Sequence, residues 1–271
     1  MSERLGNNRI LYEVGEFKNF WITPENVRGY ADEIAALIHD NVGRFGKRGV
    51  ILELDGGLNS AVVGALCARA GVDVHAVMLL NGGNSIAFSK SGTRANALVE
   101  KFRWELDIRD IGPMYQAART KSCLAELQGV CVENIQLAET DLQARVRAVK
   151  LCDVAQRKNR LLVGTDNLTK IILGDFTRDG NGSDLCPTRM VLESEIRILG
   201  KYLGLCTILA AAPSTKLYPG QADEEGRGFT YDQADRFIEY STSGDEEVDR
   251  LISARITATR YKRFPPPFFN Y

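Results

Sequence analysis

Residues 55–60 (DGGLNS) directly follow a short apolar segment, Val50 to Leu54, which has the composition of a buried strand. Two adjacent glycines let the backbone bend sharply and approach a ligand closely, and a helix that starts after such a turn presents its amide groups to an anion. The segment lacks the Gly-Lys-Ser/Thr ending of a Walker A loop, and it is not a Gly-x-Gly-x-x-Gly motif. It therefore predicts either a phosphate-binding turn or an ordinary strand-to-helix connection.

A second polar turn, Gly164-Thr165-Asp166-Asn167, follows the apolar segment that begins at Leu161. Polar side chains at the end of a strand can bind the hydroxyl or phosphate groups of a ligand, and they can equally cap the next helix. Taken alone, this turn is better explained as a helix cap.

The elements that position the two turns alternate between strand and helix patterns. Strands are predicted at four segments, Val50–Leu54, Val72–Leu80, about Leu106–Asp110 and Leu161–Gly164. Helices are predicted from a Thr23 cap through Ile38, and over Ala61–Ala70, Thr93–Trp104, about Pro113–Lys158, Val191–Leu203, Tyr231–Tyr240 and Glu246–Tyr261. This alternation favours a parallel sheet that is covered by helices on both faces, and the ligands of such sheets bind beyond the carboxyl ends of the strands. Both polar turns lie at such ends.

The composition excludes several classes of function. Of 271 residues, 44% are hydrophobic and 25% are charged, which is enough to build one core and too apolar for a disordered chain. Lys and Arg number 34 against 35 Asp and Glu, so the chain has no global basic field and nucleic acid is not an expected partner. No apolar run approaches the ~20 residues that span a bilayer, so a membrane is not an expected partner either.

The six cysteines do not have the spacing of a metal site. None forms a Cys-x-x-Cys pair, and the chain has only two histidines, so zinc is not expected. Reduced structural thiols fit a protein of the cytoplasm, and a cytoplasmic location is the prediction.

Several segments of the chain, in the same order, resemble the motifs of the ammonia-dependent NAD synthetases, which are N-type ATP pyrophosphatases. Residues 55–60 are similar to the family's phosphate loop, Ser-Gly-Gly-x-Asp-Ser, and residues 164–167 match its next motif. Residues 174–184 resemble the stretch Gly-x-Phe-Thr-Lys-x-Gly-Asp-Gly, shortened by one residue. The remaining matches are Pro213-Ser214, Leu217–Glu224, Phe229–Asp232 and Lys262-Arg263. Because the motifs occur in order across nearly the whole chain, chance does not account for them.

The resemblance implies a fold and a reaction. The implied fold is α/β, a doubly wound parallel sheet that is flavodoxin-like (adenine nucleotide alpha hydrolase-like), in a single domain over residues 1–271 without a glutaminase domain. In the family, ATP adenylates the nicotinate carboxylate of deamido-NAD with release of pyrophosphate, and ammonia then attacks the acyl adenylate to give the amide. The implied partners are ATP, a nucleotide or dinucleotide substrate, and a second copy of the chain in a homodimer with substrate at its interface. Ammonia would be free or would come from a separate donor.

The resemblance also implies a role for individual positions. The predicted ATP-binding residues are Gly56, Gly57, Ser60, Thr165, Glu193 and Ser214. The predicted substrate-binding residues are Arg145, Arg178, Asp184, Tyr261 and Lys262, with Arg178 in place of the family's Lys and Tyr261 in place of its His. The predicted catalytic positions hold Asp55, Asn59 and Lys170.

Four of these positions differ in charge from the family's pattern, and at the first of them Asp55 stands in place of the loop's uncharged Ser. The acid of the phosphate loop, a magnesium ligand in the family, is Asn59, and the Glu that supplies the second ligand is Lys170. The Lys that contacts the ATP phosphates is Glu193, whose carboxylate would repel them. Mg²⁺ normally needs at least one carboxylate beside the phosphates, whereas an amide offers only a neutral carbonyl and an ammonium repels the ion. ATP is the cofactor that the resemblance implies, but ordinary Mg²⁺ binding is not expected. Asp55 is the remaining carboxylate of the loop and therefore the candidate metal ligand.

Two interpretations of these changes remain open. In the first, the fold has persisted while the catalytic site has decayed. In the second, the site is repurposed, with Lys170 as a fixed cation beside the phosphates and Glu193 offsetting it. Loss of both metal carboxylates removes most of the charge neutralisation on which adenylyl transfer relies, and even one such contact is typically worth ~100–1000-fold in rate. The sequence therefore predicts an NAD synthetase-like nucleotide-binding protein whose amide-ligase activity is impaired or repurposed, and the alternative is a non-catalytic nucleotide-binding or regulatory paralogue.

Overall fold

The fold is that of a computed structural model, which describes most of the chain between residues 21 and 263. The described residues are 21–81, 90–119, 132–178, 180, 182–206 and 227–263. The predicted ATP contact Ser214 and the motif residues around it, 213–224, lie outside the described residues.

Within the described residues, four parallel strands form the sheet. They are β1 (Val50–Glu53), β2 (Val74–Leu80), β3 (Glu105–Asp110) and β4 (Leu161–Val163). Their order is β3-β2-β1-β4, and in the register Ile51 lies opposite His75 on one side and Leu162 on the other. The chain builds the sheet outwards from β1 in one direction and then returns to the other side of β1, which confirms the predicted doubly wound arrangement. The switch point of this sheet, where ligands of such folds bind, lies between β1 and β4.

Helices connect and cover the strands. They are α1 (Val27–Arg44), α2 (Leu58–Arg69), α3 (Lys90–Phe102), α4 (Gly112–Ala118), α5 (Val132–Lys158), α6 (Leu168–Leu173), α7 (Glu193–Tyr202), α8 (Tyr231–Tyr240) and α9 (Glu246–Ala258), and a 3₁₀ turn follows at Arg260–Lys262. α8 has the predicted bounds, and most other predicted elements differ by a few residues at one end. In the part of the chain that the structure describes, no helix combines the length and the apolar character needed to cross a membrane.

Two of the helix predictions are wrong. α1 begins at Val27 and not after a Thr23 cap, because the backbone N–H of Thr23 donates to the side-chain oxygen of Asn26 at 2.7 Å and forms a turn that precedes the helix. The long helix predicted over residues 113–158 is not one element, since α4 ends before Arg119, which has a non-helical ψ of 67°. A local side-chain hydrogen bond or one non-helical residue leaves the apolar periodicity almost unchanged, which is why the sequence pattern missed both.

Alternate residues of each strand pack against different layers of helices. Val50 and Leu52 of β1 are fully buried in a core that is built with α1, α2, α3 and α7. Ile51, which lies between them, is fully buried on the opposite face, where Leu151 and Val154 of α5 cover the sheet. Because both faces are covered, β1, β2 and β4 appear in the sequence as nearly continuous apolar runs, whereas the edge strand β3 is more polar and more exposed. Each such buried aliphatic side chain contributes about 1.5–3 kcal/mol to folding.

The helices α6, α8 and α9 share a separate apolar cluster. Its buried members are Leu173, Phe229, Tyr231, Ala234, Phe237, Val248 and Ile252. At the edge of this cluster, the side chain of Asp175 is only 3% exposed and lies 2.5 Å from Arg227 and 3.0 Å from Arg255. Breaking one partner of such a buried ion pair leaves an uncompensated charge, so Asp175 fixes the segment after α6 against the start of α8 and against α9.

Gly64 of α2 offers a test of this packing. A Cβ at position 64 would lie 2.6 Å from the ring of Trp104 and 2.9 Å from Cδ2 of Leu52. Gly64→Ala should therefore lower the free energy of unfolding in urea by about 1–3 kcal/mol, although alanine favours helices more than glycine does. Gly29→Ala in α1, where nothing lies within 4 Å, is the matched control and should leave stability unchanged or raise it by up to about 1 kcal/mol. Equal effects of the two substitutions would contradict the close contact of α2 with the sheet.

Candidate functional site

The carboxyl ends of β1 and β4 bring the two polar turns of the sequence together. α2 begins at Leu58 shortly after β1, and α6 begins at Leu168 after β4. The side-chain amide of Asn167 donates to Oδ1 of Asn59 at 2.9 Å, although the two residues are 108 positions apart in the chain. The turns therefore share one site at the switch point of the sheet.

The first turn is held by hydrogen bonds to the carboxylate of its own Asp55. Oδ1 of Asp55 accepts the backbone N–H of Gly57 at 2.8 Å, and it also accepts the hydroxyl of Ser60. The carbonyl of Gly56 accepts Nε–H of Arg94 at 2.8 Å. The predicted loop residues thus bind one another, and Arg94, which the sequence analysis missed, ties the turn to α3.

The two glycines of the first turn contribute to its geometry in different ways. Gly56 has a φ of +72°, in the left-handed region that favours glycine. At Gly57, a Cβ would lie only 3.1 and 3.2 Å from the two carboxylate oxygens of Asp55. A larger residue at position 57 would therefore require the Asp55 carboxylate to shift by a few tenths of an ångström.

Asn59, Asn167 and Glu193 form a hydrogen-bonded group that we call the amide–carboxylate triad. Oε2 of Glu193 accepts Nδ2–H of Asn167 at 2.5 Å and Nδ2–H of Asn59 at 3.3 Å. Glu193 is 1% exposed and Asn167 is fully buried. A buried polar group without a partner costs about 1–3 kcal/mol, so each member of the triad stabilises the placement of the other two.

Asn167 also confirms the helix-cap interpretation of the second turn. Its Oδ1 accepts the backbone N–H of Lys170 at 3.0 Å and so caps the first turn of α6. The same side chain therefore begins a helix through its oxygen and joins the triad through its nitrogen. Thr165, a predicted ATP contact, lies half-buried just after β4, and its ligand role stays a prediction.

The ammonium group of Lys170 lies near an aromatic ring. Its Nζ is 5.9 Å from the centroid of Tyr231, and the guanidinium carbon of Arg227 is 5.4 Å from the same centroid. The negative face of an aromatic ring attracts cations at such distances. The predicted offset of Lys170 by Glu193 stays a prediction, because the contacts described for the Glu193 carboxylate are with amides.

A second buried carboxylate, Asp235 of α8, holds the start of α7. Its Oδ2 accepts the backbone N–H of Ser194 at 2.7 Å, and its Oδ1 accepts the hydroxyl of Thr169. Oγ1 of Thr169 in turn accepts the backbone N–H of Glu193 at 2.9 Å. Burial raises the pKa of Asp235 to about 7, against the donors Thr169 and Ser194, which lower it. The sequence analysis missed Asp235, and the signal that could have revealed it is an acid that shares the apolar face of α8 with Ile238.

A cavity of about 290 Å³ near the second turn has a basic lining. Its charged lining residues are Arg178, Arg189, Lys262, Arg263 and Asp166. Nζ–H groups of Lys262 donate to the carbonyls of Gly174 at 3.0 Å and Phe176 at 2.9 Å, and burial lowers the pKa of this ammonium. Two predicted substrate-binding residues, Arg178 and Lys262, thus lie in one cavity whose excess of cations suits an anionic ligand.

The described lining of this cavity does not include the other three predicted substrate-binding residues. Arg145 is exposed and lies 3.5 Å from Asp141. Oδ2 of Asp184 accepts the backbone N–H of Leu162 at 2.8 Å and so stabilises the edge of β4. Tyr261 is 63% exposed. The ligand roles of these three residues stay predictions.

The fold and the site together define a doubly wound α/β protein with its candidate ligand site at the switch point of the sheet. The chain belongs to the NAD synthase family, whose model matches residues 30–266. It is 29% identical over 247 residues to an NH(3)-dependent NAD(+) synthetase of Archaeoglobus fulgidus, and the aligned residues cover 89% of this chain and 96% of that protein. It is 35% identical over 211 residues to an NH(3)-dependent NAD(+) synthetase of Chlorobium phaeobacteroides, and the aligned residues cover 76% of this chain and 72% of that protein. The family predicted from the motifs is therefore confirmed.

Solved structures of related proteins have the same fold. The NMN synthetase of Francisella tularensis superimposes with a TM-score of 0.79 at 28% identity, over 93% of this chain and 100% of that chain. The NH3-dependent NAD synthetase of Campylobacter jejuni superimposes with a TM-score of 0.71 at 22% identity, over 90% of this chain and 99% of that chain. These likenesses confirm the predicted adenine nucleotide alpha hydrolase-like fold.

The residues at the positions that the resemblance assigns to metal ligands do not fit Mg²⁺. Asn59 presents an amide oxygen that already accepts the Asn167 amide, and Lys170 presents an ammonium. The nearby carboxylates of Asp55 and Glu193 each accept two hydrogen bonds from the protein. Among the residues that the structure describes, no group of three or more His, Cys, Asp or Glu side chains could hold a metal ion. The described part of the site therefore lacks the carboxylate set that a magnesium ion normally requires.

Asp235 should make stability depend on pH. Because its pKa is about 7 in the folded protein and 3.8 is its ordinary value, the folded state binds more protons than the unfolded state between these two values. The contribution of Asp235 to the free energy of unfolding should therefore fall as the pH rises from about 4 to about 7, and it should level off above that range. Asp235→Asn should remove this part of the slope in urea unfolding measured at a series of pH values.

Asp232→Asn, on the exposed part of the same helix, is the control for this measurement and should keep the slope. Indistinguishable slopes for the unchanged chain and the Asp235 variant would contradict a buried proton at this position.

Proposed function

We propose that this chain binds an adenine nucleotide and a nicotinate-type nucleotide or dinucleotide, and that the ATP-dependent amidation typical of its family is strongly impaired in it. The observation that carries the proposal is the amide–carboxylate triad. Glu193 stands where the family's pattern has a phosphate-binding Lys, and Asn59 stands where that pattern has a metal ligand. Both side chains are engaged with each other and with Asn167.

The placement of charge in the site supports impaired ATP activation. The family's pattern has two acids at positions 59 and 170, which attract a divalent cation, and one Lys at position 193. In this chain the two acidic positions hold an amide and an ammonium, and the carboxylates stand instead at Asp55 and Glu193. The net charge of the four positions is unchanged, but both of these carboxylates already accept two hydrogen bonds from the protein. Without a divalent counterion, the charge that develops on the leaving pyrophosphate is poorly neutralised, and loss of one such contact typically costs ~100–1000-fold in rate.

The basic cavity supports retained binding of an anionic substrate. Arg178 and Lys262 line it with two further arginines. The relatives named above are synthetases of NAD(+) and of NMN, and both of these products are nicotinamide nucleotides that carry phosphate. Charge-assisted hydrogen bonds from Arg and Lys are the usual way to hold such phosphates.

The reaction that we assign to the chain is that of its family, at a reduced rate. An oxygen of the nicotinate carboxylate attacks the α-phosphorus of ATP, the bond from this phosphorus to the bridging oxygen breaks, and pyrophosphate leaves. Ammonia then attacks the acyl carbon and loses a proton, and AMP leaves as the amide forms. A homodimer, a separate ammonia donor and a cytoplasmic location stay predictions.

Pyrophosphate release and calorimetry test this proposal together. With deamido-NAD or nicotinate mononucleotide, ATP, ammonia and Mg²⁺, we expect pyrophosphate release to be ~100-fold or more slower than that of the Archaeoglobus fulgidus relative under the same conditions. Calorimetry should still detect binding of at least one of the two carboxylates. Arg178→Gln should weaken that binding, and Arg28→Gln on the exposed side of α1 should not. A rate equal to that of the relative, or no binding of any nucleotide, would refute the proposal.

Reversal of the three substitutions at positions 59, 170 and 193 should restore metal-dependent ATP binding. Asn59→Asp, Lys170→Glu and Glu193→Lys, introduced together, return the family's residue charges at these three positions and should raise the magnesium-dependent affinity for ATP by ~10-fold or more, since two carboxylates become available to the ion. The variant carrying Lys201→Glu and Glu247→Lys makes a comparable charge exchange at exposed positions and should have no effect. If the triple variant gains nothing in calorimetry with Mg²⁺ and ATP, the three positions do not form one site.

A second candidate function is a non-catalytic nucleotide-binding or regulatory protein. It is favoured by Asp55, whose carboxylate accepts the N–H of Gly57 and the hydroxyl of Ser60 in the turn that corresponds to the family's phosphate loop. The same assay separates the two candidates. Slow but enzyme-dependent turnover of a carboxylate excludes the second, whereas nucleotide binding with no turnover at any enzyme concentration favours it.

A further inference from the structure

We propose that Asp55 determines which nucleotides the site accepts, because its carboxylate occupies two donors of the 55–60 turn, the N–H of Gly57 and the hydroxyl of Ser60, and keeps ligand phosphates away from them. The inference rests on the proposed nucleotide binding and adds a ligand class to it. A nucleoside monophosphate, whose single phosphate does not need the turn, should bind at least as tightly as the corresponding triphosphate.

The geometry of the turn places the carboxylate where a phosphate oxygen would have to lie. Oδ1 of Asp55 takes the Gly57 N–H at 2.8 Å and the Ser60 hydroxyl. A Cβ at position 57 would lie 3.1–3.2 Å from both carboxylate oxygens, so these oxygens cover the backbone that glycine leaves accessible. A phosphate that approached this backbone would therefore meet an oxygen already present.

Charge adds to this steric conflict. Asp55 is half-buried, so its carboxylate is only partly screened by water. Two like charges a few ångströms apart near a protein surface repel each other strongly enough to lower an affinity by ~10-fold or more. The family's pattern has an uncharged Ser at this position, and Asp55 introduces the repulsion into a turn whose other predicted phosphate contacts, Gly56, Gly57 and Ser60, are retained.

Two features of the backbone hold the turn in place, so the turn does not readily move to relieve this conflict. Nε–H of Arg94 donates to the carbonyl of Gly56 at 2.8 Å, and Gly56 itself has a φ of +72°. The turn is therefore fixed at its first glycine as well as through Asp55. A purely structural role for Asp55 would affect the stability of the turn but not the choice between nucleotides, and this difference can be measured.

The test is calorimetry with AMP and with ATP, without added divalent cation, on the unchanged chain and on Asp55→Ser and Asp55→Asn. Asp55→Ser removes the carboxylate and should raise the affinity for ATP by ~10-fold or more while leaving that for AMP within ~2-fold. Asp55→Asn keeps an acceptor oxygen without the charge and should give a smaller gain. Asp40→Asn, an exposed acid on α1, is the control for general charge and should change neither affinity. Thermal unfolding of each variant shows whether it is folded at the temperature of the measurement.

The outcomes separate this inference from the proposed function. If nucleotides bind but the ratio of ATP to AMP affinity is the same in the unchanged chain and in both folded Asp55 variants, Asp55 is not the determinant and the inference fails alone. If neither nucleotide binds to the unchanged chain or to any folded variant, the proposed nucleotide binding fails and the inference fails with it. ATP binding that appears only after Asp55→Ser supports the inference.

Discussion

The burial of the Glu193 carboxylate at the start of α7 is the constraint on which the site depends. A carboxylate that is 1% exposed must have hydrogen-bond donors near it, and the amides of Asn59 and Asn167 supply them. These amides belong to the turns after β1 and β4, so satisfying one carboxylate fixes two separate turns against a third element. On the other side of the same helix start, Asp235 holds the backbone of Ser194. At the centre of the site, the N-termini of α2, α6 and α7 therefore lie around the buried carboxylates of Glu193 and Asp235.

This arrangement separates what the chain shares with its family from what it does not. The doubly wound sheet depends on backbone geometry and on apolar burial, and the fold is shared with a solved relative at 28% identity. The charges around the switch point depend on single side chains, and those at positions 55, 59, 170 and 193 are the ones that the resemblance predicts to differ from the family's pattern. A fold is specified by many weak contacts, whereas a charged site depends on a few residues, so the second can be altered while the first remains.

The sequence predicted β1, β2 and β4 well because both faces of the sheet are covered there, which makes each of these strands an apolar run such as that of Val50 to Leu54. It also predicted that both polar turns lie at carboxyl ends of strands, since that follows from the alternation of elements. It could not predict which side chains would meet. Asn167 contacts Asn59 across 108 residues, and Thr169 contacts Asp235 across 66. Residue types reveal donors and acceptors but not their partners, and for that reason the triad and the role of Asp235 were found only in three dimensions.

Single substitutions in the amide–carboxylate triad are expected to lower the stability of the protein. An acid at position 59 would face the Glu193 carboxylate, and loss of Glu193 alone would leave the buried Asn167 amide without one of its acceptors, at a cost of about 1–3 kcal/mol. A single exchange at position 59 or at position 193 is therefore expected to lower stability. Because Asn59, Asn167 and Glu193 satisfy one another, the effects of such exchanges should be non-additive, and a joint exchange that restores complementary charges should cost less than the sum of the two single ones.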